Sequence, residues 1–389
     1  MIGKDSDEDV LQSFWMGGFE CADHQNAFGE RVDMIMSTGH DKFLLKDYKM
    51  VSTLGIRTLR EGIRWSNVEK EPFKYDWSGL ERIISAAKIY NIQIIWDLCH
   101  FGFPSDLTPL HPMFAARFAH LCKAFVIAYR QLSPTGVLIV TPINEVSFLS
   151  WLGGEVRGTV PYCTGQGWAV KYGLMKAYIE GIEVMRAIDP SVQIMSTEPL
   201  VNIVSTQPDD YELSRAANER HCEQFQVLEI LSGRICPELR GKPEYLDIVG
   251  VNFYYNNQWT YPEHHTIPWD EVPPHPQWRR LSSLIEELHE TYGRHIVISE
   301  TSHPGRERAK WIDMIADEVI LIFKKGIPLV GVCFYPLLDR PDWDFLADWH
   351  RSGFWDITDP ILLDRSLHQP SADALSRFKV KLWTAGYRL

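Results

Sequence analysis

Two glutamates far apart in the chain, Glu145 and Glu300, each close a short apolar run, TPINE and IVISE. Similar runs close on other chemically useful residues: Arg60 in TLREG, His100 and Phe101 in LCHF, Asn144 beside Glu145, Asn252 and Tyr254 in VNFYY. The first run is followed by His24, and the last leads through Tyr335 to Asp342 and Trp343. Two carboxylates held about 5–5.5 Å apart suit retaining glycoside hydrolysis. One attacks the anomeric carbon; the other protonates the leaving oxygen and then activates water. Asn144, next to the acid/base, would donate to the sugar 2-OH, a contact that strengthens in the transition state. Arg60 would keep the nucleophile ionised, since a nearby cation favours the carboxylate. Tyr254 would orient it by a hydrogen bond. Trp65, Phe101, Tyr335 and Trp343 would offer flat rings to the apolar faces of sugars.

Each residue also has a structural reading. A lone glutamate at such a position can serve as a first-turn helix acid, Arg60 as an ion-pair partner, His100 as a buried, satisfied histidine. Asn252 and Tyr254 can be purely structural, and Trp65, Phe101 and Tyr335 can be packing. The coincidence of Glu145, Glu300, Asn144, Arg60 and Tyr254 favours the catalytic pair. Glu20, Glu61 and Glu198 are further acids, each as well suited to a hydrogen-bond network as to substrate recognition.

Rival chemistries leave weaker traces. His24, His100 and His303 follow different runs, with no H-x-H or H-E-x-x-H spacing, so no metal is expected. There is no P-loop, dinucleotide fingerprint or G-x-S-x-G elbow, and no cofactor is expected.

The elements that must position these residues alternate. Apolar runs at 13–19, 58–63, 93–98, 137–143, 192–196, 246–253, 295–299 and 329–335 have strand character. Amphipathic stretches near 41–54, 78–90, 113–130, 166–188, 209–231, 278–292, 307–325 and 371–384 have helical character. Strand–helix alternation implies a parallel sheet with helices outside, and eight units imply a closed (β/α)8 TIM barrel. An open doubly wound sheet would want a glycine-rich phosphate turn after the first strand; Gly17-Gly18 is not one. In barrels the chemistry sits at the C-terminal strand ends, where the residues above fall. The Pro-rich stretch 262–276 reads as a loop, so 1–389 is expected to be a single catalytic barrel domain with an acidic tail over 1–12.

Composition narrows the function classes. The 389 residues carry 39 Lys and Arg against 51 Asp and Glu, a net charge of −12. That lacks the basic footprint of a nucleic-acid binder. No run approaches the roughly 20 apolar residues of a membrane span, so no membrane partner is expected. The 7 cysteines are scattered without C-x-x-C, and the start MIGKDSDEDV lacks a signal-peptide pattern. Both fit a cytoplasmic protein with free thiols. Aromatics are abundant, with 14 Trp, 15 Tyr and 18 Phe, which serves either a large core or a stacking cleft.

The same residues carry a resemblance to glycoside hydrolase family 1, retaining β-glycosidases of the barrel clan A. FWMGGFECADH resembles the family's F-x-W-G-x-A-T strand, and TLREGIRW its Y-R-F-S-I-S-W segment with Arg60 as the arginine. LCHFGFP resembles L-x-H-W-D-L-P, with His100 on the glycone-binding histidine. TPINEV resembles T-F-N-E-P, which implies Asn144 and an acid/base at Glu145. IVGVNFYY resembles F-L-G-I-N-Y-Y, implying Asn252 and Tyr254, and IVISETS resembles I-Y-I-T-E-N-G, implying the nucleophile at Glu300. FYPLLDRPDW resembles W-S-L-L-D-N-F-E-W. The order holds from about residue 13 to 356. Several positions depart: Phe101 for Trp, S-E-T for T-E-N-G, His24 near a sugar-binding Gln, Tyr335 for Trp, and Asp342 for a Glu that would contact distal sugar hydroxyls. The resemblance implies a β-glucosidase-like hydrolase acting on a carbohydrate or glycoside. A transglycosidase using the same glutamates, or a carbohydrate-binding barrel with little catalysis, are the alternatives.

Overall fold

The computed structural model describes residues 10–389. Its centre is a closed barrel of eight parallel strands. They are β1 (Trp15–Gly18), β2 (Thr58–Gly62), β3 (Gln93–Cys99), β4 (Ile139–Ile143), β5 (Gln193–Pro199), β6 (Ile248–Asn252), β7 (His295–Thr301) and β8 (Leu329–Phe334). Each pairs with its neighbour in sequence, and β1 closes the ring against β8. The main outer helices are α1 (His40–Thr53), α2 (Ser78–Tyr90), α3 (Phe114–Leu132), α4 (Gly167–Ile188), α5 (Tyr211–Cys222), α6 (Leu281–Tyr292), α7 (Arg308–Lys324) and α8 (Gln369–Thr384). The expected (β/α)8 barrel is the observed fold, because strands buried on both faces read as continuous apolar runs while the helices keep an amphipathic period.

The barrel interior is layered by the two-residue period of a strand. Met16, Ile95, Ile139, Met195, Ile248, Val297 and Cys333 form one apolar floor, and Leu11 packs against it. Two residues further along, the same strands present Gly18, Asp97, Thr141, Thr197, Gly250, Ser299 and Tyr335, and β2 presents Arg60 after Thr58. An apolar floor thus carries a polar storey that opens on the C-terminal face. Gly18 is required there: a Cβ would lie 2.4 Å from the Tyr335 ring. Residues 1–9 of the expected acidic tail lie outside the described residues. Leu11 and Gln12 do not trail into solvent: Leu11 is buried, and Gln12 is bonded to Gln93 and Asn91.

The loops above the barrel hold structure that strand and helix periodicity does not announce. A short helix, Val146–Gly154, begins at Glu145. The segments Asn202–Ser205 and Gln258–Tyr261 pair in parallel beyond β5 and β6. Short antiparallel pairs join Arg340–Pro341 to Trp349–His350 and Trp355–Ile357 to Arg365–Leu367. Among the described residues no helix is long and apolar enough to cross a membrane, and the seven cysteines form no disulfide.

Candidate active site

Arg60 organises the polar storey. It is fully buried, with the Tyr335 ring 5.2 Å from its guanidinium carbon. Nη1 donates to the Ser299 carbonyl at 2.9 Å and to Glu300 Oε1 at 2.7 Å. Nη2 donates to Asp97 Oδ2 at 2.7 Å and to Asn144 Oδ1 at 2.8 Å. Burial alone disfavours the cation, but Asp97 and Glu300 outweigh it and hold Arg60 firmly protonated. One planar fork therefore ties together β2, β3, β7 and the residue after β4, which a point charge cannot do.

Glu300 faces the interior through an irregularity in β7. Ile298 pairs with Val251 and Glu300 with Asn252, so Ser299 and Glu300 together oppose one residue of β6. Simple alternation would point one of these two side chains outward. The bulge lets both point in: Ser299 Oγ donates to Asn252 Oδ1 at 2.7 Å, while Glu300 meets Arg60. The second Glu300 oxygen accepts from the Tyr254 hydroxyl at 2.6 Å.

Glu145 stands in a different environment. It is a non-glycine residue at φ 46, ψ 58, in the left-handed region. Its N–H donates to the Thr197 carbonyl at 2.9 Å, and its Oε1 accepts from Asn252 Nδ2 at 2.8 Å. No guanidinium touches it. Burial first, and then the negative charge of Glu300, push its carboxyl up to about 8. One glutamate is held by a cation and a phenol, the other by an amide, buried beside like charge. That asymmetry suits a nucleophile and a proton donor.

A second group flanks the pair. His100 Nδ1 lies 3.0 Å from Asp97 Oδ2, which directs Nε2 toward the Tyr335 hydroxyl at 3.3 Å and Glu20 Oε1 at 3.5 Å. Burial works against a charged His100, but Cys21, Asp97 and Glu20 raise it well above the ordinary histidine range. His24 is also buried, with Nδ1 unpartnered. Burial, then Arg31, His100 and Arg340, lower it to about 3, so it is neutral. Its ring meets Trp343 edge-on at 4.8 Å, and Phe101 packs against Trp343 at 5.2 Å. Among the described residues the indole N–H of Trp343 and the amide nitrogen of Asn144 have no partner, so each is placed to donate to a bound ligand.

All the residues expected at the site except Asp342 and Trp65 thus gather around Arg60, Glu145, Glu300 and the His24–Trp343 wall. Three expected roles change. The two oxygens of Asp342 are taken by its own loop, by the Asp344 and Phe345 N–H groups and by His350, so the carboxylate is committed to turn geometry rather than left for distal hydroxyls. Tyr335 keeps its place but not a free ring face: Arg60 lies on it, and His100 stacks on it at 5.7 Å. Trp65 is core, packed on Phe103, Phe114 and Phe118 and donating to Glu69. Asp97, Arg340 and Phe148 enter unannounced. Arg340 lies over Trp343 at 5.3 Å and reaches Glu20 Oε2 at 3.3 Å. Asp97 was readable from strand parity, two residues after Ile95; the Glu20–Arg340 pair joins opposite ends of the chain and left no local signal. Cys21, Asp97 and His100 come within 4.8 Å of one another with ligand-type atoms. Burial raises the Cys21 thiol to about 11, and Arg60 occupies Asp97, so the trio serves the hydrogen-bond network.

No family model matches the sequence, and no curated protein matches it either. Solved structures do match in three dimensions. A β-glucosidase from Thermotoga maritima in complex with glucoimidazole superposes with a TM-score of 0.76 at 16% identity, covering 96% of this chain and 99% of that one. A family 1 β-glucosidase from the same organism with isofagomine lactam gives 0.75 at 15% identity, covering 97% and 99%. The AHE enzyme from Alicyclobacillus herbarius gives 0.74 at 17% identity, with the same coverage. Likeness at this identity establishes a common barrel fold over nearly the whole chain.

Proposed function

We propose that this chain is a retaining β-glycosidase related to glycoside hydrolase family 1. The observation that carries the reading is the pair of buried glutamates in unlike surroundings, Glu300 on Arg60 and Tyr254, Glu145 on Asn252. The similarity to β-glucosidases in complex with glucoimidazole and with isofagomine lactam supports a β-glycoside as substrate.

In the first step a Glu300 oxygen attacks the anomeric carbon and the bond to the aglycone oxygen breaks. The proton on Glu145 passes to that oxygen, so the aglycone leaves as a neutral alcohol. Arg60 and Tyr254 hold Glu300 for in-line approach. Bonding to the sugar removes the Glu300 charge, one of the causes that weaken Glu145 as an acid in the free protein. Glu145 then becomes the stronger acid and ends the step as a carboxylate. In the second step it takes a proton from water, whose oxygen attacks the anomeric carbon and frees Glu300. The scheme uses the chain's own side chains throughout, and free thiols and an acidic surface suit a cytoplasmic enzyme for a neutral glycoside.

A panel of 2-deoxy-2-fluoro β-glycosides tests the reading. Intact mass should rise by one fluorosugar, peptide mapping should place it on Glu300, and Glu300→Ala should take up none. Tight binding without labelling across the panel would instead support a carbohydrate-binding barrel, and normal hydrolysis by Glu300→Ala would sink the assignment.

A further inference from the structure

Glu198 closes β5 immediately behind the acid/base, and the scheme above does not use it. It is 5% exposed. Its Oε2 accepts from the Ser147 N–H at 3.1 Å, in the first turn of the helix Val146–Gly154. The preceding residue, Thr197, accepts the Glu145 N–H at 2.9 Å. Two consecutive residues of one strand thus grip the chain on both sides of the Glu145 side chain, one by a carbonyl and one by a carboxylate. What they grip is a left-handed, non-glycine residue, which a relaxed chain would leave. The carboxylate also sits where the unpaired N–H groups of a helix start favour negative charge.

We propose that Glu198 is the positioning residue of Glu145: it fixes the backbone turn that aims the acid/base, and its charge holds a proton on that acid. The proposal rests on Glu145 being the acid/base.

The groups around both residues fit this role. Glu145 is faced by Glu300 from β7, Asn252 from β6, His100 beyond β3 and Glu198 from β5. Glu198 is faced by Lys171 and Tyr178 from α4. The Lys171 ammonium is itself held by Gln226 at 2.7 Å. Burial raises the Glu198 carboxyl to about 7, with Ser147 and Lys171 opposing. Glu198 thus gives up its proton ahead of Glu145, and the like charge then disfavours loss of the second proton.

Glu198→Gln keeps an acceptor for the Ser147 N–H and removes the charge; Glu198→Ala removes both. The first readout needs no turnover. In protein labelled with δ-¹³C glutamate, the Glu145 resonance is identified by its loss in Glu145→Gln and followed against pH. Glu198→Gln should lower its midpoint by about half a unit or more. The second readout compares dinitrophenyl and alkyl glycosides. Glu198→Ala should lower kcat/KM about tenfold or more for the alkyl glycoside, which needs the proton, and less than about threefold for the activated one. An unmoved Glu145 midpoint in Glu198→Gln, or equal losses on both substrates in Glu198→Ala, would overturn the proposal. If the unaltered protein neither hydrolyses nor is labelled, the glycosidase reading fails by itself. The resonance shift then still decides whether Glu198 controls the Glu145 proton.

Discussion

At the scale of single residues, the two glutamates are told apart by their partners. Arg60 makes the difference, because its fork serves Glu300, Asp97, Asn144 and a carbonyl at once. A lysine there would carry the charge but not the plane. Arg60→Lys should therefore lower kcat/KM by about a hundredfold or more. It should also cost about 3 kcal/mol of stability, since Asp97 and Glu300 lose partners in the interior. Glycosidase assays with urea unfolding check both, and a variant with ordinary activity and an unchanged midpoint would refute the role. Glu145 sets the pH range. Its proton is needed for the first step and is held up to about pH 8, so kcat/KM should fall on the alkaline side of that value as the acid ionises. A pH profile flat through pH 9 on alkyl glycosides would contradict it. These residues were legible in the sequence, because Asn-Glu, Ser-Glu and Asn-Phe-Tyr each close an apolar run. Glu20 and Arg340 were not legible as a pair, since nothing in the local pattern joins residues from the first and last loops.

At the scale of elements, side-chain direction follows from strand parity and from two local exceptions to it. The apolar floor and the polar storey repeat every second residue around the ring, so the type of barrel was legible from the runs alone. The bulge at Ser299–Glu300 was not: parity alone cannot turn adjacent residues inward, and register shows only when the partner strand is present. The other exception is a missing side chain. Gly18 leaves space for the Tyr335 ring, where a Cβ would come within 2.4 and 2.7 Å of ring carbons. Gly18→Ala should push that ring off Arg60, costing about 1–3 kcal/mol as overpacking does and lowering kcat/KM more than KM alone explains. Gly79, in the first turn of α2, around which a Cβ meets nothing within 4 Å, gives the control: Gly79→Ala should lower neither stability nor activity. Equal behaviour of the two variants in thermal unfolding and assay would show that the ring has room. The short pairs above the barrel escaped sequence reading because strands of two to four residues have no period to detect.

At the scale of the whole molecule, buried charge is confined to networks that bind distant segments. Besides the site, a second one lies outside the barrel wall. His40 at the start of α1 touches Asp47 at 2.8 Å and Glu61 at 3.0 Å, and Tyr48 donates to Glu61 at 2.7 Å. Arg365, from the loop before α8, joins Asp47 at 2.8 Å. The ring of His40 stacks on Phe19 at 3.6 Å, one residue from Glu20 and so from the site. Burial opposes a charged His40, but Glu61 and Asp47 outweigh it and raise it to about 9. A histidine raised on folding stabilises fully below its unfolded value near 6.5, and that contribution is lost as pH rises through about 9. Glu145 and Glu198, raised to about 8 and 7, act in the same direction: their contribution is complete below about 4.5 and lost through those values. His24, lowered to about 3, acts oppositely, stabilising above 6.5 and failing as pH falls through 3. On these groups stability should be highest near pH 4.5 and fall toward pH 9, most steeply above pH 6.5. His40→Gln removes one titrating group without touching the catalytic pair. It should lower stability at pH 6 and flatten the decline from 6.5 to 9 by up to one proton's worth, while Glu145→Gln should flatten the decline from 4.5 to 8. Urea midpoints taken every half pH unit separate the two windows, and parallel curves for His40→Gln and the unaltered protein would mean that the outer network does not titrate with folding.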